Sequence, residues 1–550
     1  MSSNRSYLAA RVSLLILALL LALPVIVVSA HVFLPADDIW QHLTETVLAD
    51  YISQSLWLSL GVAVGTLVLG VSAAWLTSMC QFPGRGVFEW ALLLPMAMPA
   101  YIIAYTYTGL LDFAGPVQTL LREWMGWGYG DYWFPPIRSL GGAIVMLTLV
   151  LYPYVYLLSR AAFLNQSLCV LDVSRTLGNT PSQTFFRVAL PLARPAIIAG
   201  LSLALMETLA DYGTVSYFGI STFTTGIFRT WFGMGSAAAA AQLAALLMVF
   251  VLVLIVMEKL SRRQAQYHHT SRHHQQLKRF QLSASKAWLA FAFCLALLLA
   301  SFVIPAAQLL QWTLLVADSV IDDAFMTLVY NSLKLASLTA LLALFLALLL
   351  SYGKRLFGGA LVRFAVRLAS MGYAIPGAVI AVGVMIPFAW LDNSIDSWAR
   401  TNLDFSTGLL LSGTLVAVIF AYLVRFLAVA IQTVESGLGQ VRLSMDEAAR
   451  SLGHSPLAVL RKIHMPMLRG SLLTALLLVF VDVLKELPAT LILRPFNFNT
   501  LAVKTFELAS DERLAEAAPT ALAIVATGLL PVIILSIAIT RSRQLDSDKA

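Results

Sequence analysis

Twelve apolar runs, each of roughly 20 residues or more, follow one another from about residue 12 to about residue 540, and they constrain this chain more than any other feature. Roughly 20 apolar residues let an α-helix cross the ~30 Å hydrocarbon layer, where backbone polar groups must be satisfied within the segment itself. Continuous runs do not have the alternating pattern of barrel strands. The composition agrees, with 59% hydrophobic residues, 12% charged residues and a mean hydropathy of +0.81. Disordered, collagenous and secreted disulfide-rich classes are thereby excluded. Cys80, Cys169 and Cys294 lie in or beside apolar runs and read as buried reduced thiols. The expected fold is an all-α integral membrane protein with about 12 transmembrane helices.

The runs that matter most below fall at 12 to 34, 88 to 111, 195 to 217, 364 to 391, 407 to 432 and 470 to 493. The first resembles a signal peptide, but its apolar stretch is long for one and an even helix count fits its retention. With the N-terminus inside, the inner segments carry 27 Lys and Arg and the outer loops seven, Arg425 being counted inside and Lys334 and Lys485 within helices. That bias places both termini in the cytoplasm. It also accounts for the net charge of +7 without a nucleic-acid partner. The acids of the outer loops, among them Asp37, Asp38, Asp318 and Asp322, read as ordinary loop composition. Residues 259–286 form a polar cytoplasmic linker with Arg262, Arg263, His268, His269, His273 and His274. Paired histidines can bind metal, yet without carboxylate or cysteine company the segment reads as solvated.

The chain is duplicated. Arg175-Thr176-Leu177-Gly178-Asn179-Thr180-Pro181 matches Arg450-Ser451-Leu452-Gly453-His454-Ser455-Pro456, an offset of 275 residues that holds to Thr230 and Thr505. Upstream the register slips by two, so Pro99 meets Pro376 and Ser55 meets Ser332. The expected organisation is a first unit at 1–258, the linker at 259–286 and a second unit at 287–550. Six helices per unit is an even number, so the units are parallel and pseudo-symmetric about an axis along the membrane normal.

Between the fourth and fifth runs of each unit, at about 166–194 and 434–469, lies a patterned segment too polar to insert. Gly178 and Gly453 suit a helix stop, since glycine tolerates the left-handed backbone. Thr180 and Ser455 suit an N-cap, with Pro181 and Pro456 at the first helical position. Pro191 and Pro466 are expected to break the chain before the next span. In the second copy Glu447-Ala448-Ala449, Gly453, Ile463 and Pro466 resemble the loop of the permeases of ABC importers. The first copy departs from that pattern, with Asp172-Val173-Ser174 in place of Glu-Ala-Ala, while Gly178 and Pro191 remain. The resemblance implies a type I importer permease fold in which these loops are coupling helices docking in ATPase grooves. It also implies a homodimer of ATP-binding-cassette ATPase subunits as partner. The chain has no phosphate-binding loop of its own, because Gly353-Lys354 lacks both the leading glycine and the following Ser/Thr. ATP and Mg belong to the partner, and no cofactor is expected on this chain.

Glu207 and Asp211, with Asp482 and Glu486, are the carboxylates expected within spans. Thirteen residues beyond Arg194 and Arg469, at ~1.5 Å each, Glu207 and Asp482 stand about 20 Å into the hydrocarbon. The i, i+4 spacing puts each pair on one helix face, and a charge facing lipid costs at least ~2.5 kcal/mol, so these faces should line protein or a water-filled path. Two readings follow: a structural network partly neutralised by Lys485, or a path for a cation with oxygen ligands suited to a hard metal. On the second reading Glu207, Asp211, Asp482 and Glu486 are transient metal ligands. Gly213 and Pro488, just beyond, can interrupt their helices. Tyr101, Tyr105 and Tyr107, beyond Pro99, could add phenolic oxygens to the path, but aromatics at helix spacing near an interface read first as belt or packing residues.

Glu207 to Tyr212, continuing to Gly219, and Lys485 to Thr490, continuing to Phe496, resemble the fused permeases of ferric-iron ABC importers over essentially the whole chain. The resemblance implies a bacterial inner-membrane transport subunit, not an enzyme, that receives ferric iron from a periplasmic binding protein and passes it along a path including Tyr212. Thiamine and polyamine permeases share the same plan, and a secondary transporter with two six-helix halves is the alternative from another class.

Overall fold

The computed structural model describes residues 2–33, 38–128, 130–165, 178, 180–263 and 279–547. Asp172, Cys169 and the linker histidines lie outside them. Eleven described helices are long and apolar enough to cross a membrane, and a bent pair makes a twelfth. The elements used below are α1 (Ser2–His31), α2 (Leu48–Met79), α3 (Arg85–Ala91), α4 (Ala100–Leu111), α5 (Leu140–Asn165), α6 (Leu190–Ala210) and α7 (Gly213–Tyr217) from the first half. From the second come α8 (Ile304–Val320), α9 (Asp323–Phe357), α10 (Gly377–Leu403), α11 (Leu415–Gln440), α12 (Leu443–Ser451), α13 (Met465–Leu484), α14 (Pro488–Leu493) and α15 (Leu514–Ser547).

The run at 88 to 111 is not one helix: Arg85–Ala97 and Ala100–Met125 meet at 93°. Pro99, in an extended conformation, is the N-cap of α4. It has no N–H with which to continue the preceding turn, and it drives the residue before it out of the helical region. The run at 364 to 391 is interrupted in the same way, at the matching Pro376 that precedes α10.

The chain condenses into two compact units, and neither is a sequence half. One gathers residues 1–43, 226–248 and 321–504, the other residues 44–225, 249–320 and 505–550. These units differ from the division at 258 and 287 expected from the duplication, because packing groups the helices by contact and not by repeat. In the first unit α1 lies along α10, with Leu14, Ala18, Leu21, Ala22 and Val28 forming its buried stripe. Gly383 permits that contact, since a Cβ there would collide with the Pro24 carbonyl. In the other unit α8 and α15 pack together beside first-half helices. Trp312 of α8 stacks on Tyr105 at 6.4 Å, and Gly528 of α15 leaves room for the Ala97 carbonyl. Thus the opening helix of each half joins the core of the other half. A two-residue parallel pairing, Cys80–Gln81 with Phe280–Gln281, ties the linker's end back to the base of α2.

Candidate functional site

The described part of the segment before the fifth span of each half is a capped helical elbow. Gly178 and Gly453 have φ of 80° and 82°, the left-handed region that β-carbon-bearing residues avoid. Among the described residues no neighbour lies within 4 Å of where either Cβ would stand, so conformation demands glycine there. Thr180 and Gln183 cap each other reciprocally: Gln183 N–H donates to Thr180 Oγ1 at 3.3 Å and Thr180 N–H to Gln183 Oε1 at 2.9 Å. Ser455 Oγ accepts from the Ala458 N–H at 3.3 Å, and Pro456 opens the helix.

The expected breaks at Pro191 and Pro466 do not occur. The elbow runs without interruption into the span, as Ser182–Ala210 and as Pro456–Leu484. In both copies a π turn, Phe185–Ala189 or Leu460–His464, ends two residues before the proline. Its wider i→i+5 spacing shifts the ladder so that the absent proline N–H leaves no bond broken. The described part of each elbow is therefore helically continuous with a transmembrane span.

In the second copy α12 presents Glu447 and Ala448 to the exterior and buries Ala449. Leu443, Leu452 and Leu457 in this segment are each more than 60% exposed, apolar surface of the kind that partner proteins cover. The elbow is fastened by groups that local motif reading missed. Buried Asp446 accepts from Arg355 Nε at 2.8 Å and is bonded to His464 Nε2 at 2.7 Å. Arg355 also donates to the carbonyls of Leu438 and Val441, and Tyr352 donates to that of Pro456. Arg355 stands 91 residues before Asp446, so no local pattern announces the pair.

Burial works to raise the Asp446 carboxyl, but the hydrogen bonds from Arg355 and His464 outweigh it and hold the group below the usual carboxylate range. A depressed folded-state value stabilises fully above the ordinary Asp value near ~3.9, and that contribution fades as pH falls through the lower folded value. Thermal melts of the detergent-purified protein should therefore show the Asp446 contribution intact at neutral pH. Asp446→Asn should cost about 1–3 kcal/mol there, because Arg355 loses its counter-charge, and the cost should shrink toward acid pH.

The intramembrane acids sit where their helices break. α6 ends at Ala210, and Asp211 caps α7: its Oδ1 accepts from Thr214 N at 3.0 Å and Val215 N at 3.1 Å, its Oδ2 from Thr214 Oγ1 at 3.1 Å. α13 ends at Leu484, and Glu486 caps α14 through Ala489 N at 3.1 Å and Thr490 N at 3.2 Å. So the two acids of each i, i+4 pair do not share one continuous helix. Glu486 also accepts from Arg425 Nη1 at 2.8 Å. Counting Arg425 as an inner-surface residue was wrong: it lies within the span Leu415–Gly439, held there by this pair. Asp482 is 3.3 Å from Lys485. Glu207 is half-buried and lies within electrostatic reach of Asp211.

Among the described residues no group of three or more His, Cys, Asp or Glu side chains is placed to hold a metal ion. Neither the Glu207 and Asp211 pair nor the Asp482 and Glu486 pair belongs to such a group. Tyr101, Tyr105 and Tyr107 are all buried, and Tyr107 donates to the Ala300 carbonyl at 2.6 Å. The Tyr212 ring packs on Phe506 with centroids 5.7 Å apart.

A duplicated helical bundle in which each half extends one span into a helically continuous elbow, and breaks that same span at a capping acid, is a multi-pass membrane permease. Residues 66–266 and 339–544 match the family of binding-protein-dependent transport system inner membrane components, and the chain belongs to that family. It is 28% identical to the Fe(3+)-transport system permease protein FbpB 2 of Haemophilus influenzae, over 95% of this chain and 97% of the relative. It is 22% identical to the ferric transport system permease protein FbpB of Actinobacillus pleuropneumoniae, over 80% of this chain and 64% of the relative. The molybdenum transport system permease protein ModB of Escherichia coli is 28% identical over 31% of this chain and 74% of its own length. The protein is accordingly a transport subunit of the inner membrane.

Proposed function

We propose that this chain is the permease of an ABC importer that carries ferric iron from a periplasmic binding protein into the cytoplasm. Separate ATPase subunits, acting as a homodimer that binds ATP and Mg, supply the energy. The observation that carries the reading is the likeness to an Fe(3+)-transport permease along both halves, over 95% of this chain and 97% of the relative. Both termini and the elbows face the cytoplasm, in keeping with the basic surplus on that side. Asp172, Gly178, Pro181 and Pro191 form one ATPase-docking elbow, and Glu447, Ala448, Ala449, Gly453, Pro456 and Pro466 the other. Because each elbow is continuous with its span, a push from the ATPase is transmitted along one helix to the break at Asp211 or Glu486. Glu207, Asp211, Tyr212 and Asp482 line the ion's route, and Glu486, neutralised by Arg425, holds its helix break in place.

Metal-resolved uptake in a strain lacking other iron importers tests this. Accumulation of radioactive iron that depends on a co-purifying ATPase subunit is expected, with no competition from thiamine, polyamines or molybdate. Uptake of an organic cation instead, or failure of any ATPase to co-purify, overturns the assignment.

A further inference from the structure

The two helices that carry Arg425 and Asp482, α11 and α13, belong to one compact unit and cross as strongly apolar spans. Toward the elbow both turn polar, and there they enclose an open cavity of about 440 Å³. Gln432, Thr433 and Ser436 of α11 line it from one side, and Gly470, Ser471 and Thr474 of α13 from the other. Gly437 brings the helices together at this level, since a Cβ on it would stand 2.6 Å from Ser471 Oγ. Gly470 leaves room, with no described neighbour within 4 Å of where its Cβ would stand. From Arg425 to Gln432 is nearly two turns of α11, about 10 Å at ~1.5 Å per residue, so the two residues share a face.

The lining is neutral and richer in acceptors than in donors. Thr433 Oγ1 donates to the Val429 carbonyl at 2.8 Å and Thr474 Oγ1 to the Gly470 carbonyl at 2.9 Å. Their protons are spent, so toward the cavity these two oxygens can only accept. Gln432, Ser436 and Ser471 make no side-chain hydrogen bond to a described residue. Amide and hydroxyl groups left unpaired against hydrocarbon are costly, so this face lines water. An anion needs donors, which the threonines cannot supply. A metal-bound water is the complement: its lone pair goes to the metal, and its polarised O–H groups donate strongly. Six such waters occupy roughly 180 Å³ at ~30 Å³ each, so a hydrated ion fits. Of the charged groups nearby, Lys354 is paired with Glu435 at 2.7 Å, and Arg469, next to Gly470 in sequence, does not line the cavity. The first half differs on its matching span. At the 275-residue offset Gly470, Ser471 and Thr474 correspond to Pro195, Ala196 and Ala199. Ala475 corresponds to Gly200, which lets α6 close onto α5: a Cβ there would stand 2.8 Å from Val155 Cα.

We propose that this cavity is the inner holding site of the transporter, where the ferric cargo rests in its water shell and is bound through that shell by Gln432, Ser436, Ser471 and Thr474 before release. The proposal rests on the ferric reading above and on the orientation that puts the elbow ends of the helices in the cytoplasm. The contacts are between coordinated water and protein oxygens, so no bond to iron forms or breaks and the metal stays ferric. Neutral groups acting through water hold an ion weakly. That suits an exit site, which must be favourable enough to enter and loose enough to leave.

The test uses the full transporter with its ATPase and ferric-loaded binding protein in proteoliposomes, and reads radioactive iron uptake together with ATP hydrolysis. Thr474→Val is close in shape and removes the acceptor, and Ser471→Ala copies Ala196 of the first half. The double variant should lower iron uptake per ATP hydrolysed about tenfold, the effect of losing two hydrogen bonds. Ser436→Leu, at an exposed position, sets an apolar group over the cavity and should lower it too. Thr474→Ser and Ser471→Thr keep their oxygens and should retain uptake. ATP hydrolysis stimulated by the binding protein should persist in every variant, because the elbows and the helix breaks are untouched. Wild-type uptake in both the double variant and Ser436→Leu overturns the site while leaving the ferric reading intact. Loss of uptake in Thr474→Ser as deep as in Thr474→Val also overturns it, since the hydroxyl would then not be what matters. A wild-type transporter that moves no iron overturns both the site and the ferric reading.

Discussion

Arg425→Met is expected to destabilise the protein by about 3–5 kcal/mol, the cost of leaving one member of a buried ion pair alone. The carboxylate left behind, Glu486, has a side chain only 2% exposed and lies within a transmembrane unit. A lone charge at such depth costs at least ~2.5 kcal/mol even on insertion scales. A Cβ on Gly377 would collide with both members of the pair, so the close packing around it depends on glycine at that position. The double substitution Arg425→Met, Glu486→Gln removes both charges and keeps an oxygen for the Ala489 N–H, and it should recover most of the loss. Thermal unfolding of the four proteins of this cycle in detergent measures the coupling directly. A single substitution as stable as the wild type would mean that the pair does not hold the second helix break.

Gly453→Val is expected to uncouple transport. At φ of 82° a residue bearing a β-carbon costs roughly 1–2 kcal/mol, and a β-branched one more. Open space around the glycine among the described residues means the substitution is penalised through the backbone, so the chain can relieve it by turning the elbow away from its present angle. The apolar surface of Leu443, Leu452 and Leu457 would then face a different direction and fit its partner poorly. Iron uptake per ATP hydrolysed should fall about tenfold or more, while expression stays normal. Gly453→Asn should be milder, because asparagine enters the left-handed region more readily. Gly178→Val should act in the same direction at the other elbow. Full coupling in both valine variants would contradict the assignment of these segments as ATPase-docking elbows.

The spans, the duplication and the elbow caps were legible from the chain alone. Each is dictated by rules that act within a helical turn or over the thickness of a bilayer. Hydrocarbon demands long apolar runs, a left-handed residue demands glycine at 178 and 453, and a helix start demands an acceptor such as Thr180 or Ser455. The breaks near Gly213 and Pro488 were legible for the same reason. Pro191 and Pro466 were misjudged because the same residue can end a helix or sit after a π turn inside one, and only the neighbouring hydrogen-bond ladder decides which.

Tertiary structure decided which helices share a unit and which charges meet. The joining of α1 to second-half helices depends on a close approach at Gly383, and the Arg425 to Glu486 pair spans 61 residues of sequence. Neither leaves a trace in apolar patterning, because a membrane helix is apolar on its lipid face and on its protein face alike. Hydropathy therefore determines that these helices cross the membrane, while small residues and buried polar partners, brought together only by packing, determine their neighbours.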